Sequence, residues 1–248
     1  MPVSTSIRLR LCVALLAAVS TLSHARAQDP VVRLGHFSQT QIDHQLYLAA
    51  GHPNEQWRYQ GLRQHLAGRD AQAVLHFERA AGYADKISQH YLSLLYWYGQ
   101  GVPQDRVLAY IWSDLAAERG HRNLLRIREK MWLELTEAQR AQVIQRGEGM
   151  HRQYADAFTR IRTERALFRF ATQMTGSKAG FDGHNLTVQF GPSALQGTST
   201  EGGITGLAMY GDERTDRRVY WQAQDRMLEG PLRATVTIGP LEPHDRTL

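Results

Sequence analysis

The sequence predicts a mainly α fold: a short α-solenoid of helical hairpins with capping helices, followed by a small antiparallel β appendage at the C-terminal end. Three observations carry this expectation. Two segments 36 residues apart resemble one another, a turn rich in glycine and proline separates two helical runs, and apolar alternation of period two begins only after Met174. Spacing in the mid-thirties is that of stacked helical hairpins.

The first residues set which part of the chain folds. Arg8 and Arg10 precede an apolar run from Leu11 to Val19, and polar residues then lead to Ala25-Arg26-Ala27. A positive start, a short apolar stretch and an A-x-A site form the pattern of a secretory signal peptide. The run is about half the roughly twenty residues needed to span a bilayer. Residues 1–27 are therefore expected to be a signal peptide cleaved after Ala27, with the rest in the periplasm or secreted and no transmembrane anchor. Cleavage removes Cys12, the only cysteine, so a buried core and not disulfides must supply stability. It also removes Arg8, Arg10 and Arg26 from the 29 basic residues, leaving 26 against 24 acidic ones. A pI near 9.5 then loses its weight as a sign of nucleic acid binding, which needs basic residues clustered on a face. No nucleic acid partner is expected.

Residues 28–53 form a weakly patterned extension with one short helix near Gln41 to Ala50. Residues 54–174 carry the repeats. Ala73 to Asp85 reads AVLHFERAAGYAD and Ala109 to His121 reads AYIWSDLAAERGH; each has a mid-helix aromatic, Phe77 or Trp112, and an alanine pair, Ala80-Ala81 or Ala116-Ala117. Small residues let the next backbone approach, and one aromatic per helix fills the space between hairpins. Between a helical run from Ser88 to Tyr98 and another from Arg106 to Arg119 lies Gly99-Gln100-Gly101-Val102-Pro103-Gln104-Asp105. Glycine ends the first helix, Pro103 blocks its continuation, and Asp105 is placed to cap the second.

These residues carry a family resemblance. Leu92-Ser93-Leu94-Leu95-Tyr96 with Gly99, Gly101, Val102, Asp105, Ala109, Trp112, Ala116, Ala117 and Gly120 resembles one Sel1-like repeat, a relative of the tetratricopeptide repeat. Ser93 stands where that family usually has glycine. The preceding unit, Trp57 to Asp85, lacks the G-x-G-V turn, has Gly68-Arg69-Asp70 instead, and reads as a degenerate repeat. The resemblance implies an α-solenoid used for protein contacts.

A two-repeat stack needs caps. Leu124, Ile127, Met131 and Leu135 share one helical face, Thr136 to Gln139 is a capping-box pattern, and Tyr154, Phe158, Ile161, Leu167 and Phe168 fall at helical spacings from Gln153 to Met174. In residues 175–248, glycine-rich breakers separate Leu186, Val188 and Phe190 from Val219 and Trp221, and these from Leu232, Ala234, Val236 and Ile238. Period-two alternation of this kind predicts three or four short strands.

Motifs for chemistry are sparse. Eleven histidines are scattered without H-E-x-x-H or paired cysteines, and neither G-x-S-x-G nor S-x-x-K occurs. No metal, no cofactor and no catalytic residues are expected. Two surfaces are candidates for partner binding. Tyr91, Leu94, Trp97 and Tyr98 make the Ser88–Tyr98 helix apolar nearly all round, so it needs a second cover, internal or from a partner. Arg119, Arg122, Arg126 and Lys130 line one helix side and could grip an acidic partner or an envelope glycan; a solvated face with local ion pairs is the competing reading. The expected function is an exported, non-enzymatic scaffold for a protein partner, with glycan or peptidoglycan binding, or a hydrolase activity in the C-terminal region, as alternatives.

Overall fold

The repeat turn is where local sequence dictates geometry most firmly. In the computed structural model, which describes residues 31–35, 37–173, 187–188, 204–229 and 234–237, helix α4 (Lys86–Tyr98) starts at Asp85 and ends at Gly99, and α5 (Arg106–Ala117) starts at Asp105. Asp85 accepts from the Ser88 N–H and Asp105 from the Leu108 N–H, each at 2.8 Å, which satisfies donors that a helix start leaves open. Gly99 and Gly101 adopt φ of 72° and 75°. A Cβ on Gly101 would lie 2.5 Å from the Asp70 backbone, so this glycine is required by conformation and by space. Gly101→Ala is expected to cost about 2 kcal/mol or more, through left-handed strain and overpacking. Urea unfolding of the variant measures it.

Element order is β1 (Val31–Leu34), α1 (Gln39–Leu48), α2 (Pro53–Leu66), α3 (Asp70–Ala81), α4, α5, α6 (Arg122–Glu134), α7 (Glu137–Tyr154), α8 (Asp156–Gln173), β2 (Thr187–Val188), β3 (Ile204–Thr205), α9 (Gly206–Tyr210), α10 (Asp212–Thr215), α11 (Arg217–Glu229) and β4 (Ala234–Thr237). All lie within one unit, Pro30–Thr237. Helices α2 and α3 pair as one hairpin, α4 and α5 as the next, α3 packs on α4, and α6 and α7 pack on α5. The two matched segments are thus the second helices, α3 and α5, of consecutive hairpins in one stack. Phe77 and Trp112 are buried, as are Ala73, Ala80, Ala81, Ala109, Ala116 and Ala117. Gly61 of α2 lies so close to Phe77 that a Cβ there would come within 2.5 Å of the ring. Small residues set the helix spacing here as the repeat pattern requires.

The capping box predicted at Thr136 and Gln139 opens α7, and a second, Ser38 with Gln41, opens α1. Strand β1 is held on two sides. It pairs antiparallel with β4, Val32 opposite Val236. On its other side the turn residue Gln100 accepts from the Val32 N–H at 2.6 Å and donates to the Val32 carbonyl at 3.2 Å, so a side-chain amide pairs with the strand as backbone would. Val32 and Leu34 are buried, and β1 packs on α4.

The C-terminal expectation needs a correction. Val188, Ala234 and Val236 are in strands, and β2 pairs antiparallel with β3. Val219 and Trp221, however, lie in helix α11. Two apolar residues in alternation make no strand when Tyr220, Trp221, Gln224 and Leu228, at spacings of three and four, are the buried side chains. Leu186, Phe190, Leu232 and Ile238 lie outside the described residues, as do residues 1–27.

Candidate functional site

Helix α4 is apolar nearly all round because it is enclosed. Tyr91, Leu94 and Trp97 are buried, and Tyr98 packs at the edge of the same core. Tyr91 meets Phe77 edge to face, and Arg106 lies over the Trp97 ring. The second cover is internal, with β1 as one part of it. Tyr91, Leu94 and Trp97 therefore belong to the core and present no contact surface.

The arginine stripe divides. Arg122, Arg126 and Lys130 are exposed on α6. Arg119 turns inward: its guanidinium forks onto Asp156, Nε to Oδ2 at 2.7 Å and Nη2 to Oδ1 at 3.2 Å, and also donates to Asp225 and to the Ala84 carbonyl, each at 3.0 Å. Its flat face covers Trp221. Lys86 reaches Asp156 at 3.0 Å and Glu118 at 2.7 Å. Burial pushes the Asp156 carboxyl up, but the Arg119 hydrogen bond and the two cations outweigh it and hold the pKa below the usual range. Arg119 thereby ties the end of α5 to the start of α8 and to α11.

A second polar centre, invisible in the sequence, joins α2 to α10 and α11. Glu55 accepts from Arg214 Nη1 at 2.7 and 2.9 Å, from the Tyr220 hydroxyl at 3.0 Å and from Gln224 Nε2 at 2.7 Å. Tyr220 also reaches Asn54, and Arg58 pairs with Asp85 at 2.8 Å. Burial raises the Glu55 pKa, yet the Arg214 and Arg58 charges prevail and keep it low. A carboxylate at 4% exposure, held ionised by two guanidiniums, is poorly placed to take up a proton or to attack a substrate. Among the described residues no group of three or more His, Cys, Asp and Glu side chains is placed to hold a metal ion, and no described helix is long and apolar enough to cross a membrane.

Two adjoining grooves border α8. One, with Trp57, Leu75, Arg79 and Tyr154 in its lining, has a volume near 530 Å³; the other, lined along α8 and by Thr215 and Arg217, near 760 Å³. Tyr83 and Arg162 line both. Trp57 stacks on His76 and carries Arg79 over its ring. The predicted apolar stripe of this helix is only partly used: Leu167 is buried, but Phe158, Ile161 and Phe168 are 48%, 47% and 70% exposed. Helix α8 instead packs through Thr159, Thr163 and Ala166, and Thr163 Oγ1 donates to the Tyr83 carbonyl at 2.6 Å.

Helical hairpins nested through alanines around a G-x-G turn define a repeat-type scaffold. Comparison with family models makes that specific: the Sel1 repeat matches residues 86–121, which are α4, the turn and α5 to its end. The chain carries a Sel1-like repeat. Gly99, Gly101, Asp105, Ala109, Trp112, Ala116, Ala117 and Gly120 all fall within the match. Neither the comparison with curated proteins nor that with solved structures yields a match.

Proposed function

We propose that this protein is an exported, non-enzymatic scaffold that holds a protein partner through the grooves beside α8. The observation that carries the proposal is the Sel1 repeat, a family suited to protein interaction, built into a helical body that leaves aromatic and arginine side chains open on one side. Aromatic and arginine residues supply most of the binding energy at protein interfaces. Export rests on the Arg8 to Ala27 pattern. The glycan alternative keeps only Arg122, Arg126 and Lys130, since Arg119 is engaged internally.

The test is photocrosslinking in the producing cells, with the reactive residue placed at Tyr83, in the grooves, or at Arg126 on α6. A discrete protein adduct from Tyr83, and a mature chain beginning at Gln28, are the expected results. Adducts with glycan from Arg126, without a protein adduct at either position, would overturn the scaffold reading. A chain that retains residues 1–27 would overturn export.

A further inference from the structure

We propose that the outward face of α8 docks an acidic, partly apolar segment of the partner protein, with carboxylates paired to Arg162, Arg165 and Arg169 and apolar side chains set against Ile161 and Phe168. Helical spacing puts Phe158, Ile161, Arg165, Phe168 and Thr172 on one side of α8, with Arg162 and Arg169 along one flank. The helix is anchored on its other side by small side chains, Thr159 and Thr163 fully buried among them, so the large apolar residues are free to face outward. Exposed aromatic residues grouped in this way mark an interaction surface.

Charge decides what kind of occupant fits. Among the described residues no carboxylate pairs with Arg165 or Arg169, and Arg162 donates only to the Gly82 carbonyl, at 3.1 Å. The one acidic residue on this stretch of α8, Glu164, already accepts from Trp221 Nε1 at 3.1 Å and lies 3.5 Å from Arg217. Among the described residues, then, the groove presents positive charge from Arg162, Arg165 and Arg169 that no carboxylate offsets, beside apolar surface. Every cation in it is arginine, whose planar fork matches a carboxylate with two parallel hydrogen bonds. A peptide fits better than a bilayer because the face borders a groove walled by Tyr83 and Arg217 from other elements, where an extended chain can sit and a flat lipid surface cannot follow.

The inference rests on the scaffold reading, and two measurements separate their failures. A labelled synthetic peptide alternating Glu with Leu and Phe is titrated with the full protein and followed by fluorescence anisotropy. Binding that weakens with added salt is expected, and the same peptide with Gln for Glu should bind roughly tenfold less tightly or worse. Arg165→Glu with Arg169→Glu should abolish the signal at an unchanged unfolding midpoint, whereas Arg122→Glu with Arg126→Glu should leave it within about twofold. Should the first pair impair folding, Phe168→Ser provides the second variant, with roughly tenfold loss expected. Equal binding of the two peptides, binding that survives both groove variants, or binding to phosphatidylglycerol vesicles in place of the peptide would each overturn the proposal. If the crosslinked partner is still captured by the Arg165→Glu, Arg169→Glu protein, the scaffold reading stands and this docking face falls; if no partner protein is captured at all, the scaffold reading itself falls.

Discussion

Glu55→Ala is expected to destabilise the protein by about 3–5 kcal/mol, the range for removing one partner from a buried charged network. The loss exceeds that of ordinary contacts because of what is left behind. Arg214 would lose both its carboxylate hydrogen bonds, and Gln224 Nε2 its 2.7 Å acceptor, in a site where Tyr220 and Asn54 are already enclosed. Arg214, part-buried, would keep the Leu48 carbonyl as acceptor but lose its counter-charge, and a guanidinium short of partners in an enclosed site costs far more than the same group in water. Helices α10 and α11 join α2 through these bonds, so the variant should also be cleaved by protease within residues 204–229 at a lower concentration than the parent protein. Glu55→Gln keeps the shape and some hydrogen bonding, and should lie between the two.

Acid adds a second signature. The folded Glu55 pKa is depressed, so its stabilisation is complete above the ordinary glutamate pKa of about 4.3 and is lost as pH falls through the lower folded value. Glu55→Gln should remove that part of the acid limb. Urea unfolding across the range measures both effects, and a Glu55→Ala protein as stable as the parent would show that this network is dispensable.

The same cluster explains what the sequence could and could not reveal. The second hairpin was legible because its signals are local: Asp85 and Asp105 cap, Gly99 and Gly101 turn, and the alanine pair packs, each determined by its near neighbours. Helix α2 was hard to read as half of a repeat because its buried face is written in polar letters. Asn54, Glu55 and Arg58 are as buried as Tyr59 and Leu62, and their partners Arg214, Tyr220 and Gln224 lie more than 150 residues away in sequence. An apolar-periodicity argument sees no stripe there. The error at Val219 and Trp221 has the same origin, since α11 is stabilised by Tyr220 and Gln224 reaching α2 and by Trp221 under Arg119. On α8 the apolar positions were legible and their direction was not. Nothing local says that Thr159 and Thr163 face the core while Phe168 faces out; that follows from where the Tyr83 carbonyl and the neighbouring helices lie.

His90 carries the second large prediction. It lies on α4 at 2% exposure, its Nδ1 without a hydrogen-bond partner among the described residues, and burial alone pushes its pKa down to about 4 from an ordinary 6.5. In the unfolded chain it takes up a proton near pH 6.5, while in the folded protein it resists until about pH 4. Between those values the unfolded state binds more protons, so stability must fall as the medium is acidified. The full difference amounts to about 3 kcal/mol at 1.36 kcal/mol per pKa unit. His52 and His76, whose pKa values are also depressed, act in the same direction, whereas His151 is raised by its hydrogen bond to Asp114 and acts in the opposite one. A single substitution separates His90 from these. His90→Leu fills a similar volume without a titratable group, and should change stability at pH 7 by less than about 1.5 kcal/mol while flattening the decline between pH 6.5 and 4. Unfolding midpoints at constant ionic strength provide the comparison. If parent and variant lost stability in parallel across that window, the proton uptake would have to be assigned to other groups, and His90 would be charged or solvated in the folded protein.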